Sequence, residues 1–221
     1  MNTPSVNIYA FAHKGLRHLM SELTLLAGKT NYAKAGQLEV LKSKTEELLI
    51  FLNFHAHAED NFILTVLEQR VPGSTTANYN EHEEIEKEAE AFGHTLNAIS
   101  PSSPLSAGQV FYKAVTDFQS NYLAHMSMEE SEMMGLIWDN FTVEELIGMQ
   151  TAIIGSLSPD QKLLSFKYMI PAMNSMERAL LMGGLKAKAP ADFFDKVMDM
   201  LQDYLTEVEH EQLVDSLSQP A

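Results

Sequence analysis

Apolar residues recur at spacings of three and four along almost the whole chain, which is the period of an amphipathic α-helix. No segment shows the strict alternation that is typical of a half-buried strand. Clusters of proline, glycine and serine divide the pattern, and the first four segments between them are long. They predict helices over residues 5–28, 36–70, 78–99 and 104–139. The chain is therefore predicted to be all-α, with these helices forming an antiparallel up-down four-helix bundle.

Local polar residues indicate where several helices begin. Asn78 with Glu81 is a candidate N-cap pair for the third helix. Thr142 starts a capping-box pattern, and so does Ser158, which is followed by a proline at the first helical position. A last helix is predicted over residues 190–217.

The C-terminal part of the chain has the helical period but lacks long segments. We assign residues 1–157 to the bundle with one trailing helix, and residues 158–221 to a C-terminal helical extension. Amphipathic helices of this kind cannot bury their apolar faces alone. The extension is therefore expected to pack on the bundle or to form a homodimer through its helices.

Each of the four long helices has an apolar seam, at positions alternately four and three apart, that histidine or glutamate interrupts. An unpaired buried carboxylate costs several kcal/mol, so a set of bare groups would approach the whole stability of a domain, about 5–15 kcal/mol. A bound cation offsets that cost. The interrupting residues, and hence the predicted metal ligands, are His13, His55, Glu59, His82, His125 and Glu129.

Beyond these residues the seam is predicted to continue in the same phase. It would run through Phe62 and Val66 in the second helix, and through Met133 and Leu136 in the fourth.

The composition restricts the kind of metal site. The chain has no cysteine, so thiolate zinc sites, iron–sulfur clusters and cysteine nucleophiles are excluded. Imidazole and carboxylate together suit iron, manganese or zinc. Six such ligands are too many for one tetrahedral zinc and match a two-metal centre with bridging carboxylates.

The ligands repeat at a fixed offset. The two single histidines, His13 and His82, are 69 residues apart, and 70 residues separate each member of the first His-x-x-x-Glu pair from its counterpart in the second. Residues four apart share one helix face. Each helical hairpin is therefore predicted to contribute one histidine and one His-x-x-x-Glu pair.

The charge of the chain bears on its partners. It has 30 acidic and 15 basic residues, for a formal net charge of −15. Such a surface repels phosphate, so neither nucleic acid nor an anionic membrane is expected as a partner. With no secretory signal pattern and no apolar run long enough to span a bilayer, the expected location is cytoplasmic.

The order of a lone histidine, His-x-x-x-Glu, a lone histidine and His-x-x-x-Glu resembles the hemerythrin-like cation-binding domain. The strings that carry the resemblance are HKGLRHLM, HAHAEDNFILTVLEQRVPG, NEHEEIEKE and HMSMEESEMMGLIW, and the likeness extends over residues 5–155. It implies a non-haem di-iron centre with two iron ions, bridged by the two glutamates and open to dioxygen or nitric oxide.

The sequence leaves the function open between two classes. The first is a protein that binds or senses dioxygen, nitric oxide or iron, and the alternative is a di-iron oxidoreductase acting on peroxide, nitric oxide or dioxygen. Oxygen-carrying members of that family have a His-x-x-x-His pattern on the third helix. This chain differs from them, because Glu86 stands four residues after His82. Glu86 either reaches a metal or belongs to a solvated acidic face. A metal-free helical interaction module is a third reading.

Four further residues are candidates to support the centre. Asp60 and Glu130 follow the two ligand glutamates, and they either accept hydrogen bonds from ligand imidazoles or are exposed. Tyr9 and Tyr122 lie one turn from ligand histidines, where they either donate to a bound small ligand or simply pack. The remaining histidines are predicted to lie outside the site, and they are His18, His57, His94 and His210.

Overall fold

The computed structural model describes residues 6–218, which form nine helices and no strand. The all-α prediction is confirmed. Ser5, where the first helix was expected to begin, lies outside the described residues, and the helix begins later than predicted, at Ala10, after the non-helical residues 6–9. The helices are α1 (Ala10–Lys29), α2 (Ala35–Glu59, Asp60–Leu64 and Thr65–Arg70 in one continuous run), α3 (Thr76–Asn97), α4 (Leu105–Met128, Glu129–Met133 and Met134–Asn140, also continuous), α5 (Val143–Ser156), α6 (Pro159–Met169), α7 (Ser175–Lys188), α8 (Ala191–Leu201) and α9 (Glu207–Ser218).

The four long helices pack in a ring, in which α1 contacts α2 and α4, and α3 contacts the same two helices. Their shared core contains Leu16, Leu23, Leu48, Phe92 and Phe111, all almost completely buried. Each such side chain contributes about 1.5–3 kcal/mol when it leaves water. This core lies on one side of the seam histidines, and a second apolar cluster that includes Ile63, Leu64 and Ile137 lies on the other.

Both α2 and α4 contain a five-residue π-helical segment that begins at or directly after the seam glutamate. A π turn accommodates one extra residue in a helix, and the seam beyond it therefore shifts by one position. The predicted continuation was correct at Met133, inside the second π segment, and wrong in phase at Phe62, Val66 and Leu136. The buried residues are Ile63, Leu67 and Ile137, whereas Phe62, Val66 and Leu136 are only half-buried.

Most other predicted helix starts agree with the structure, and the exceptions are at α3 and in the last predicted helix. Thr142 and Ser158 form the predicted capping boxes. Helix α3 begins at Thr76, so Asn78 lies inside its first turn and is buried rather than capping. The predicted last helix is two helices, because Thr206 exchanges hydrogen bonds with Glu209 and starts α9 anew.

The C-terminal extension has its own apolar cluster, which includes Phe166, Ile170 and Met182. It also packs on the bundle through α6 and α1, as expected. Gly15 of α1 allows the close approach, since a Cβ there would lie 2.7 Å from Met169 Cγ. A homodimer through these helices stays a prediction, as does the boundary after residue 157.

Among residues 6–218, no helix combines the length and the apolar character needed to cross a membrane.

Candidate metal centre

The structure brings all six predicted ligands together inside the bundle, where each is buried. They form two triads, in each of which the potential ligand atoms lie within 4.8 Å of one another. Each triad consists of two histidines and one glutamate and comes from one helical hairpin. Triad A is His13, His55 and Glu59, from α1 and α2, and triad B is His82, His125 and Glu129, from α3 and α4.

Glu59 faces both triads with different oxygens. Its Oε1 atom lies 3.2 Å from His55 Nε2 and 3.6 Å from His13 Nε2, both in triad A. Its Oε2 atom lies 3.5 Å from His82 Nε2, in triad B. The carboxylate therefore spans the space between the triads.

Glu129 repeats this arrangement in the opposite sense. Its Oε1 atom lies 3.2 Å from His125 Nε2 and 3.5 Å from His82 Nε2. Its Oε2 atom lies 3.4 Å from His13 Nε2. Two carboxylates, each with one oxygen toward each triad, are what a bridged pair of cations requires.

The polar atoms of the two triads fit a cation better than they fit one another. The buried atoms without a hydrogen-bond partner among the described residues include both Glu59 oxygens, Glu129 Oε2, and Nε2 of three histidines, His13, His55 and His82. Two atoms that each lie about 2.1 Å from a common ion, at an angle of about 90–120°, are about 3.0–3.6 Å apart. The separations of 3.2–3.6 Å fall in that range.

Carboxylates orient three of the four imidazoles through the ring nitrogen that faces away from the centre. The Nδ1 atom of His13 lies 2.9 Å from Glu130 Oε1, and that of His82 lies 2.7 Å from Asp60 Oδ1. When Nδ1 donates to a carboxylate, Nε2 keeps its lone pair for a metal. Asp60 and Glu130 thus adopt the hydrogen-bonding role rather than the exposed one.

Two contributors escaped the sequence analysis, which read them as a capping pair. Glu81 Oε2 lies 2.8 Å from His125 Nδ1, and Asn78 Nδ2 donates to Glu129 Oε1 at 3.3 Å. The one signal for Glu81 was its position directly before His82, and its side chain is half exposed. Its role depends on a neighbour in α4, so a local pattern could not reveal it.

The outer carboxylates Asp60 and Glu130 lie in the two π segments. Asp60 follows Glu59 in α2, about 100° further round the helix. In the π segment the Asp60 side chain reaches α3, while its carbonyl accepts hydrogen bonds from Thr65 Oγ1 at 2.7 Å and Tyr79 OH at 3.2 Å. These hydroxyls stabilise the widened turn.

The centre shifts the pKa values of its own groups. Burial alone would lower the pKa of His13, but Glu129, Glu130 and Glu59 outweigh it and raise that pKa to about 11. In the same way Asp60 and Glu129 overcome burial and raise the pKa of His82 to about 10.

His55 and Glu129 shift in other ways. Burial dominates at His55 and lowers its pKa to about 4. Burial opposes ionisation of Glu129, yet His125, His13 and His82 hold its pKa well below the usual value. At neutral pH the metal-free centre therefore contains imidazolium groups at His13 and His82, a neutral imidazole at His55 and an ionised carboxylate at Glu129.

Both seam tyrosines border the centre. Tyr9 stacks on His13 with ring centroids 5.2 Å apart, and its buried hydroxyl has no partner among the described residues. Burial and the charges of Glu129 and Glu59 raise the pKa of Tyr9, so its hydroxyl stays protonated. Tyr122 packs against His125 at 5.7 Å.

The other candidates lie away from the triads. Glu86 is exposed and belongs to neither triad, which favours the solvated face. His57 and His94 are exposed, as predicted. His18 lies with its Nδ1 atom 3.1 Å from the Tyr168 carbonyl oxygen, and His210 is in the extension.

Comparison with known proteins agrees with this geometry. A zinc finger protein BRUTUS-like from Arabidopsis thaliana is 29% identical over 141 residues, which is 62% of this chain and 11% of that protein. The chain thus corresponds to a small part of that relative. No solved structure matches the chain. The model of the hemerythrin HHE cation-binding domain matches residues 5–137, more than half of the sequence, and the chain belongs to that family.

Proposed function

We propose that this chain binds two iron ions, one in each triad, and that Glu59 and Glu129 bridge them. The observation that carries the proposal is the placement of the two carboxylates. Each has one oxygen within 3.2–3.6 Å of the two histidines of its own triad and the other oxygen within 3.4–3.5 Å of a histidine in the opposite triad. His13 and His55 complete one position, and the histidines of triad B complete the other.

The donor set supports iron as the metal. Two histidines and one carboxylate, with room for further ligands, are typical of non-haem ferrous iron. Each position would receive two imidazole nitrogens and one oxygen from each bridging glutamate. Four protein ligands leave an iron ion short of six, and the remaining positions suit water or a small molecule.

We further propose that the centre binds or senses a small ligand, dioxygen or nitric oxide, or iron itself. Reduced iron supplies the affinity for diatomic molecules. The protein supplies a site closed by apolar side chains on both sides. The buried Tyr9 hydroxyl, which lacks a partner among the described residues, is the residue best placed to donate a hydrogen bond to what binds there.

Metal analysis of the full chain, purified without a metal-binding tag, tests the first proposal. We expect two iron ions per chain, and a loss of at least one in Glu59→Gln and Glu129→Gln. Glu86→Gln is the matched control, since it removes the same charge from an exposed position, and it should retain both. A chain that takes up zinc but excludes iron, or that binds less than one ion, would overturn the proposal.

Addition of dioxygen, nitric oxide or peroxide to the reduced protein then separates the two functional classes. If the protein binds or senses the ligand, its visible spectrum should change until every metal centre is occupied and then remain constant. An oxidoreductase consumes many equivalents per centre. Sustained turnover would replace the binding proposal with the enzymatic alternative.

A further inference from the structure

The two triads match closely in their inner geometry. The rings of His13 and His55 lie 5.2 Å apart at 74°, and those of His82 and His125 lie 5.0 Å apart at 72°. The two bridging carboxylates serve both positions alike. Any difference in metal affinity must therefore come from groups behind the ligands.

Behind triad B stand two carboxylates. Asp60 lies 2.7 Å from His82 Nδ1, and Glu81 lies 2.8 Å from His125 Nδ1. Among the described residues, neither carboxylate forms an ion pair with lysine or arginine. Both therefore add negative charge behind the imidazoles, and both fix the tautomer that points Nε2 inward.

Behind triad A the arrangement is weaker. Glu130 lies 2.9 Å from His13 Nδ1, but Arg17 also binds both oxygens of that carboxylate, at 2.6 and 3.0 Å. The arginine cancels the charge that Glu130 would direct toward the metal. His55 has no carboxylate partner for Nδ1 among residues 6–218, because the residue before His13, which corresponds to Glu81 before His82, is Ala12.

The sum of these outer charges differs between the triads. It is minus two behind triad B, and zero behind triad A. Carboxylates that back ligand histidines typically change metal affinity by 10–100-fold. Resting on the metal binding proposed above, we propose that the first metal ion binds in triad B, and that Glu81 is the positioning residue that makes this triad the tighter one.

The order of metal binding is tested by titrating Fe²⁺ into the full chain under anaerobic conditions, after a chelator has removed its metal. Calorimetry measures the heat of each step. The parent should bind two equivalents in two steps whose dissociation constants differ about tenfold or more. His55→Ala should keep the tighter step, whereas its counterpart His125→Ala should lose it. Two equal steps, or the reverse pattern in the variants, would overturn the order. A parent that binds no Fe²⁺ would instead overturn the proposed function as well.

Two conservative substitutions on the surface of α3 test the role of Glu81 without disturbing the fold. Glu81→Gln should weaken the tighter step by about 10–100-fold and leave the weaker step within about threefold. Glu86→Gln removes the same charge from the same helix and should change neither step by more than about twofold. Equal effects of the two variants would show that net charge, and not the hydrogen bond to His125, sets the affinity, and would overturn the role of Glu81.

Discussion

Neighbouring imidazoles of the centre respond to burial in opposite ways. His13 and His55 are both buried and their rings lie 5.2 Å apart, yet the pKa of one is about 11 and that of the other is about 4. The difference follows from the carboxylates. Three of them lie within 3.6 Å of His13, whereas at His55 burial outweighs the attraction of Glu59. In the metal-free protein His55 is thus a buried neutral group whose Nε2 atom has no hydrogen-bond partner within residues 6–218.

Replacement of His55 should separate folding from metal binding. His55→Leu is expected to raise the free energy of unfolding of the metal-free protein by about 1–2 kcal/mol, because leucine has a similar size and leaves no polar atom unpaired. It should also reduce the iron content to one ion or less. Urea unfolding and metal analysis measure the two effects. His57→Leu, at an exposed position of the same helix, is the control and should alter neither quantity; a metal-free His55→Leu variant less stable than the parent would contradict this prediction.

Protons should compete with metal well above neutral pH. His13 and His82 have folded pKa values of about 11 and 10, raised above the reference value of 6.5. Their contribution to the stability of the metal-free protein is therefore complete below pH 6.5 and is lost as pH rises through 10–11. At pH 7 the two bound protons must leave when a metal enters, so binding should release about two protons.

Calorimetry at pH 7 in buffers of different ionisation enthalpy measures that release. Affinity should continue to rise from pH 7 to pH 9. A flat affinity over this interval, with no proton release, would show that the two imidazoles are already neutral in the metal-free chain.

The sequence predicts the six inner residues for a physical reason that it cannot extend to the outer ones. A histidine or glutamate in an apolar seam violates the helical pattern, and the violation repeats at a fixed offset. Glu81 does not violate this helical pattern, because it stands at the edge of an acidic run that is typical of a solvent-exposed helix face. Its function arises from contact with His125, 44 residues away.

At the scale of the helix, the π segments show where the sequence pattern no longer predicts which residues are buried. The period of the seam predicts burial correctly up to Glu59 in α2 and up to Met133 in α4, and is one residue out of phase beyond them. An extra residue in one turn leaves no mark on composition. It is stabilised by two hydroxyls that donate to the Asp60 carbonyl, one from Thr65 in the same helix and one from Tyr79 in α3.

Deletion of Asn61, an exposed residue inside the first π segment, should restore a regular helix. The buried residues beyond it would keep their phase, so the helical content should be retained. The Asp60 carbonyl would then pair within the helix and lose its hydrogen bonds from Thr65 and Tyr79. Asp60 should shift relative to His82, and the affinity for iron at triad B should fall about 10–100-fold. Circular dichroism and iron titration measure both properties. Asn61→Ala keeps the chain length and should bind as the parent does; equal binding by the deletion variant would remove any role of the π segment in the centre.

At the scale of the whole molecule, α1 connects the metal centre to the C-terminal extension. His13 belongs to triad A, and the next residue, Lys14, forms an ion pair with Glu177 of α7 at 2.5 Å. One turn further along the chain, Arg17 holds Glu130. The same helix therefore contributes to the ligand set, to its outer charges and to the docking of the extension.

The tight contact at Gly15 should be sensitive to a single methyl group. Gly15→Ala places a Cβ 2.7 Å from Met169 Cγ and 3.2 Å from the Met169 backbone nitrogen, and should lower the free energy of unfolding by about 1–3 kcal/mol. Gly183→Ala is the matched control, because nothing lies within 4 Å of its added Cβ, and it should raise the free energy by up to about 1 kcal/mol. Denaturant unfolding distinguishes these signs. A Gly15→Ala protein with an unchanged free energy of unfolding would contradict this prediction, because α1 and α6 would then accommodate the added methyl group without cost.

The division of the triads between hairpins has a consequence for how the chain assembles. Every residue of triad A lies in the first hairpin and every residue of triad B in the second. Closing a hairpin requires only a short loop search, which is faster than docking two halves. Each hairpin therefore holds a complete triad before it meets the other, and under the proposed function it would bind one ion by itself. The second oxygen of each glutamate then joins the halves, and metal supply during synthesis would set the speed of folding as well as the final occupancy.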